Sequence, residues 1–122
     1  MIVAGFGFRA SATLDSLRAA YDLACAHHSV AALATAENKA QAAGLIALAE
    51  ALELAILPIP AATIAQMQTL TQSARVRQHY ATGSVAEAAA LAAAGPGARL
   101  LSPRHISPDR KATCALAIGD QT

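Results

Sequence analysis

Ile2-Val3-Ala4-Gly5-Phe6-Gly7-Phe8-Arg9-Ala10-Ser11-Ala12-Thr13-Leu14-Asp15-Ser16-Leu17 opens the chain and decides how the rest is read. Residues 2–6 form a short apolar run that reads as a strand. The end of the stretch starts a helix. Ser11 or Thr13 supplies an N-cap oxygen, and Leu14, Leu17, Tyr21 and Cys25 then recur at core spacing as far as about residue 27. Between the two lies a turn with two glycines and an arginine. A strand that turns into an amphipathic helix is the opening of an α/β pattern.

The alternation continues outward from there. Residues 30–34 are a second apolar run, and a helix over 41–54 puts Leu45, Leu48, Ala49 and Leu52 on one stripe. Residues 56–59 read as a third strand, closed by Pro58 and Pro60. Short helices are predicted over 61–68, carrying Ile64 and Met67, and over 73–80, with Val76 and Tyr80 inward. A helix from Ser84 stops at Gly95-Pro96-Gly97; 98–101 and 112–118 are the fourth and fifth strands. The expected fold is α/β: a three-layer α/β/α sandwich around a mostly parallel five-stranded sheet. The link over 102–111 has no helical pattern, so a hairpin-like return makes the last strand antiparallel.

Composition narrows the function. With 122 residues the chain is long enough for one domain, 1–122, with a real core. The formal charge of +1 carries no basic block that would suggest nucleic acid. There is no Trp, and Phe6, Phe8, Tyr21 and Tyr80 are too few for a stacking surface. Apolar runs are broken before a membrane-spanning length, and the start has no basic leader, so neither a membrane span nor a signal peptide is expected. Cys25 and Cys114 lie far apart and fit buried free thiols in a cytoplasmic protein. Cys25, His27 and His28 lack a second pair at ligand spacing, so no metal is expected, and nothing calls for another cofactor.

Ligands of open α/β sheets bind outside the carboxyl ends of the parallel strands. The first segment there is Gly5-Phe6-Gly7-Phe8-Arg9. Its glycines read as turn residues or as places where a ligand approaches the backbone, and Arg9 offers a fork for a carboxylate. The second runs through Thr35 to Lys39, as anion donors or as a solvated loop. The third is Thr82-Gly83-Ser84-Val85-Ala86-Glu87. Gly83 allows a tight turn, and Ser84 with Glu87 three positions later has the capping-box pattern. A helix start of this kind suits an anion, or simply starts a helix. Arg104, His105, Arg110 and Lys111 form a basic loop that is either solvated charge or a grip on an acidic ligand.

Taken together, these segments resemble a known family. The opening Gly-Phe-Gly-Phe-Arg, the run from Leu33 to Lys39 and Thr82-Gly83-Ser84-Val85-Ala86-Glu87-Ala88-Ala89-Ala90-Leu91 occur in the order seen in the C-terminal domain of the cobalamin-biosynthesis protein CbiG and its stand-alone form, CobE. Gly44-Leu45, Leu48-Ala49 and the closing strand extend the resemblance over nearly the whole chain. The chain looks like the stand-alone form. It departs from the family where Phe8 replaces a common Cys, Ser11 a Gly, and Arg104 a Lys.

The resemblance implies work on a corrin precursor. The family's two-domain members open a lactone ring on a cobalt-containing precorrin and release a two-carbon fragment. The expected function is binding of a precorrin or corrinoid intermediate, as carrier or accessory protein. The site would draw on Gly5, Phe6, Gly7, Phe8, Arg9, Thr35, Lys39, Thr82, Gly83, Ser84, Glu87 and Arg104. The alternatives are a precorrin-processing hydrolase or isomerase with Glu87 or His105 as acid–base group, and a subunit that docks on other enzymes of the pathway.

Overall fold

β1 (Ile2–Phe8) runs through the middle of the sheet. The computed structural model describes residues 1–26, 28–71, 85–101 and 103–119. Successive side chains of β1 leave the sheet on opposite sides. Ala4 and Phe6 pack on one side with Leu17, Tyr21, Leu45 and Leu48, and Phe8 borders that cluster. Val3 packs on the other with Ala34, Ile59, Ile64 and Ala89.

The first layer of helices is α1 (Leu14–Cys25) and α2 (Ala43–Leu52). They link β1 to β2 (Ala32–Ala36) and β2 to β3 (Ile56–Ile59). Both strand pairs are parallel, as a helical crossover requires. α3 (Ala61–Thr71) and α4 (Val85–Ala94) cover the other face. β4 (Arg99–Leu100), β5 (His105–Ile106) and β6 (Ala112–Ile118) complete the sheet, in the order β3-β2-β1-β6-β4. β6 lies antiparallel to β1, with Phe8 opposite Ala112.

The sheet has six strands, one more than expected. The link after β4 does return as a hairpin, but β5 forms on the way. Leu100 faces Ala117 and His105 faces Cys114, so β4 and β5 are two pieces of one edge along β6.

β1 also extends beyond residue 6, which changes the reading of its glycines. Gly5 and Gly7 are not in a turn. Gly5 sits in the ladder between Ala34 and Ala115. A Cβ there would overlap the carbonyl oxygen of Ala86 and lie 2.6 Å from the amide nitrogen of Ala90. The close approach that glycine permits is therefore that of α4, whose residues Ala86, Glu87, Ala88, Ala89 and Ala90 are all buried.

The helix ends follow local chemistry. Thr13 caps α1 in a reciprocal box with Ser16, which settles the choice between Ser11 and Thr13. The buried stripe of α1 is Leu17, Ala20, Tyr21 and Ala24; Leu14 is 39% exposed, because the first turn stands where the sheet ends. α2 is shorter than predicted, closed by Glu53 in the left-handed region (φ 58°). α4 stops at Gly95 (φ 100°), as its sequence indicates. The helix expected over 73–80 lies outside the described residues.

Candidate functional site

Three chain reversals meet at the carboxyl ends of β1 and β2. After Phe8 the chain turns: the Arg9 N–H donates to the Lys111 carbonyl at 2.9 Å, and the Ala12 N–H donates to the Arg9 carbonyl at 3.0 Å. This fixes the backbone of Arg9 and leaves its side chain exposed. After Ala36 a 3-10 turn, Glu37–Lys39, carries Lys39 back over β1. Its Nζ stands 5.2 Å from the centroid of the Phe8 ring, within cation–π range. The third reversal is the 107–111 hairpin that leads into β6.

That hairpin is held by one carboxylate. Asp109 accepts from the Ser16 hydroxyl at 2.5 Å, the Ser107 hydroxyl at 2.6 Å and the Lys111 N–H at 3.0 Å. These donors favour the charged form, Ser107 most, and bring its pKa down from 3.8 to about 2. Ser107 is itself buried; its hydroxyl accepts from the Ala112 N–H, and its N–H donates to the Ala112 carbonyl. Arg110 takes the left-handed conformation at the tip (φ 62°). Asp109 is thus engaged by hydroxyls and an amide, with the charge of Lys111 nearby, and the three reversals together carry Arg9, Lys39, Arg110 and Lys111 beside the acidic Glu37 and Asp109.

Two hollows flank the Phe8–Lys39 pair. One, of about 370 Å³, opens on the α1/α2 side among Ala10, Ala12, Leu17, Gln41 and Gly44. The other, of about 220 Å³, lies at the strand ends among Gly7, Thr35 and Ala36 and reaches Val85 at the start of α4. Phe8, Asn38 and Lys39 line both. A larger hollow, of about 550 Å³, lies elsewhere, between Thr63 and Met67 of α3 and Leu91 to Ala98.

The predicted site residues divide. Phe8 and Lys39 pair at this rim, and Arg9 begins the adjoining turn with an exposed side chain that lines neither hollow. Gly7 reaches it from β1, while Gly5 lies under α4. Phe6 is fully buried and stacks on Tyr21, with ring centroids 6.4 Å apart, so the apolar contact available at the rim is Phe8. Burial pushes the Tyr21 hydroxyl up to about 12. Thr35 is fully buried too, and its hydroxyl donates to the Phe6 carbonyl at 3.0 Å, tying β2 to β1. Thr82, Gly83 and Ser84 lie outside the described residues, as do His27, Arg75 and His79.

Glu87 and Arg104 pair with each other. The Arg104 N–H donates to Glu87 Oε2 at 3.2 Å, and the guanidinium Nη1 stands 4.0 Å from Oε1. Glu87 is nearly fully buried, in the first turn of α4. His105 lies opposite Cys114, whose side chain packs with the α1 cluster, so its ring belongs to the other side of the sheet from α4. Its Nδ1 is buried without a hydrogen-bond partner. Glu87 and His105 therefore do not form one acid–base unit.

Sequence reasoning missed Asn38 as a shared lining residue and the Ser16–Asp109–Ser107 bracket. The run Ser107-Pro108-Asp109 carries the local signal of a side-chain-stabilised turn; the reach to Ser16 has none. Among the described residues no cluster of three or more His, Cys, Asp or Glu could hold a metal ion, and no helix is long and apolar enough to cross a membrane.

A family described as cobalamin synthesis G C-terminus matches residues 2–117. The chain belongs to this family. The crystal structure of the cobalamin biosynthesis protein chiG from Agrobacterium tumefaciens is similar, with a TM-score of 0.78 and 34% identity, over 99% of this chain and 100% of that one. CobE, a protein from the cobalamin (vitamin B12) biosynthetic pathway, is similar with a TM-score of 0.75 and 32% identity, over 96% of this chain and 89% of that one. No curated protein matches the chain. Membership in the CbiG C-terminal family ties the protein to cobalamin biosynthesis, and the fold is the one these relatives share.

Proposed function

We propose that the protein binds a corrinoid intermediate of cobalamin biosynthesis by its carboxylate side arms, at the rim formed by Phe8, Arg9 and Lys39. The observation that carries this reading is the Phe8–Lys39 pair, an ammonium 5.2 Å from a ring centroid with a hollow on each side. Corrin precursors are flat apolar rings fringed with acetate and propionate groups. A ligand of that kind needs an apolar contact beside several cations, and a rim with Arg9, Lys39, Arg110 and Lys111 offers both. The carboxylate of Glu87 faces Arg104, which supports a structural role for it.

The test is a titration with cobyrinic acid, a corrin whose arms end in carboxylates, followed by absorbance and then by mass analysis of the recovered ligand. A spectral change with unchanged mass is the expected result. A new mass would replace carriage by catalysis, and a flat titration would remove the binding role.

A further inference from the structure

We infer that the ligand straddles the end of the sheet: two neighbouring acid arms enter the two hollows, and Lys39 is the cation they share. This rests on the corrinoid reading above and specifies how such a ligand is chosen. The first hollow reaches towards α1 and α2, where Leu17 and Gly44 line it, and the second lies at the strand ends and reaches towards α4, where Gly7 and Val85 line it. They meet only at Phe8, Asn38 and Lys39.

The ammonium of Lys39 is held over this junction by the Phe8 ring, not by a carboxylate; the ion pairs among the described residues are Arg18–Asp22 and Arg104–Glu87. An ammonium has three donors, and with one directed at the ring face two remain. It can therefore donate to an arm on each side. A single-armed acid satisfies one side only. A ligand with two adjacent arms gains from both contacts on one molecule, the intramolecular advantage of a linked pair. Lys39 and Phe8 are thus specificity-determining residues for polycarboxylate rings over amidated ones.

Affinity for cobyrinic acid and for its amidated relative cobinamide tests this in the intact chain. The wild type is expected to prefer the acid, and Lys39→Gln to lose on the order of ten- to a hundredfold for the acid and far less for cobinamide. Ala10→Phe narrows the α1/α2 hollow and Ala36→Leu the α4 hollow; each is expected to weaken acid binding severalfold, and less so when Lys39 is already Gln. Backbone NMR of the wild type gives the same answer without variants: cobyrinic acid should shift the amides of both Ala12 and Val85. Loss of affinity from only one filled hollow, or shifts beside only one of them, would overturn the straddling arrangement while leaving corrinoid binding intact. If the wild type bound neither corrinoid, the binding role itself would fall, and this inference with it.

Discussion

Gly5 and Ala86 meet backbone to backbone: a Cβ on Gly5 would overlap the Ala86 carbonyl oxygen. Two backbones that close leave α4 no room to give, because Ala86 and Ala88 to Ala90 are buried alanines with no side chain to move aside. Gly5→Ala is therefore expected to destabilise the protein by about 3 kcal/mol or more, the upper range for overpacking. Gly7→Ala should cost clearly less, since its nearest neighbour is the hydroxyl of Thr113 at 3.1 Å. Urea denaturation of the two variants checks the order; equal costs would mean that α4 can slide on β1.

The same contact shows where sequence reading stops. The strand–helix alternation was legible because each period is local: the third strand was expected over 56–59 and lies at Ile56–Ile59, and the last over 112–118 lies at Ala112–Ile118. A glycine in an apolar run carries the same signal for a turn, a ligand or a helix packed from far along the chain. Only the tertiary neighbour decides, and for Gly5 it is α4. Phe8 and Lys39 each stand out in the sequence as candidates by type and position. Their pairing does not, because it depends on a 3-10 turn after β2 that three ordinary residues form. Thr35 shows the same limit: a hydroxyl beside a strand end reads as an anion donor, and only the strand pairing reveals that it donates to the Phe6 carbonyl.

Asp109 ties the hairpin to α1, and its folded pKa is about 2 against an ordinary 3.8. A depressed carboxyl pKa contributes stability that is fully present above the ordinary value and is lost as pH falls towards the folded one. The melting temperature of the wild type should thus fall as pH drops from about 4 to about 2. Asp109→Asn should lower the melting temperature at pH 7 and flatten that part of the acid limb. Ser16→Ala should also lose the reciprocal half of the α1 capping box, in which its hydroxyl accepts from the Thr13 N–H, while Thr13 keeps its own cap bond to the N–H of residue 16. The two changes should be less than additive, since both remove the same 2.5 Å hydrogen bond. Strict additivity in a double-mutant cycle would show that the bond contributes nothing.

Arg9 is anchored through its backbone to Lys111, so its side chain can be removed without disturbing the turn. Arg9→Ala should leave the stability within about 0.5 kcal/mol of wild type, as read from the melting curve. It should weaken cobyrinic acid binding by about 1.5–3 kcal/mol if the guanidinium holds a carboxylate. Arg9→Lys should recover part of the loss, keeping the charge without the fork. Wild-type affinity in Arg9→Ala would take Arg9 out of the site.

Glu87 separates a structural carboxylate from a catalytic one. It is nearly fully buried, accepts from the Arg104 N–H at 3.2 Å and faces the guanidinium at 4.0 Å. Glu87→Ala removes that acceptor from the edge segment between β4 and β5 and leaves a cavity under α4. A loss of about 1–3 kcal/mol is expected from removing a buried hydrogen-bond acceptor of this kind. Glu87→Gln keeps an acceptor and should cost less. Because Glu87 lines neither hollow beside Lys39, both variants should bind cobyrinic acid like the wild type at a temperature where they are folded. A Glu87→Gln protein with unchanged melting but lost turnover of a precorrin would instead assign this carboxylate a chemical role, and would shift the working centre from the Phe8–Lys39 rim to the first turn of α4.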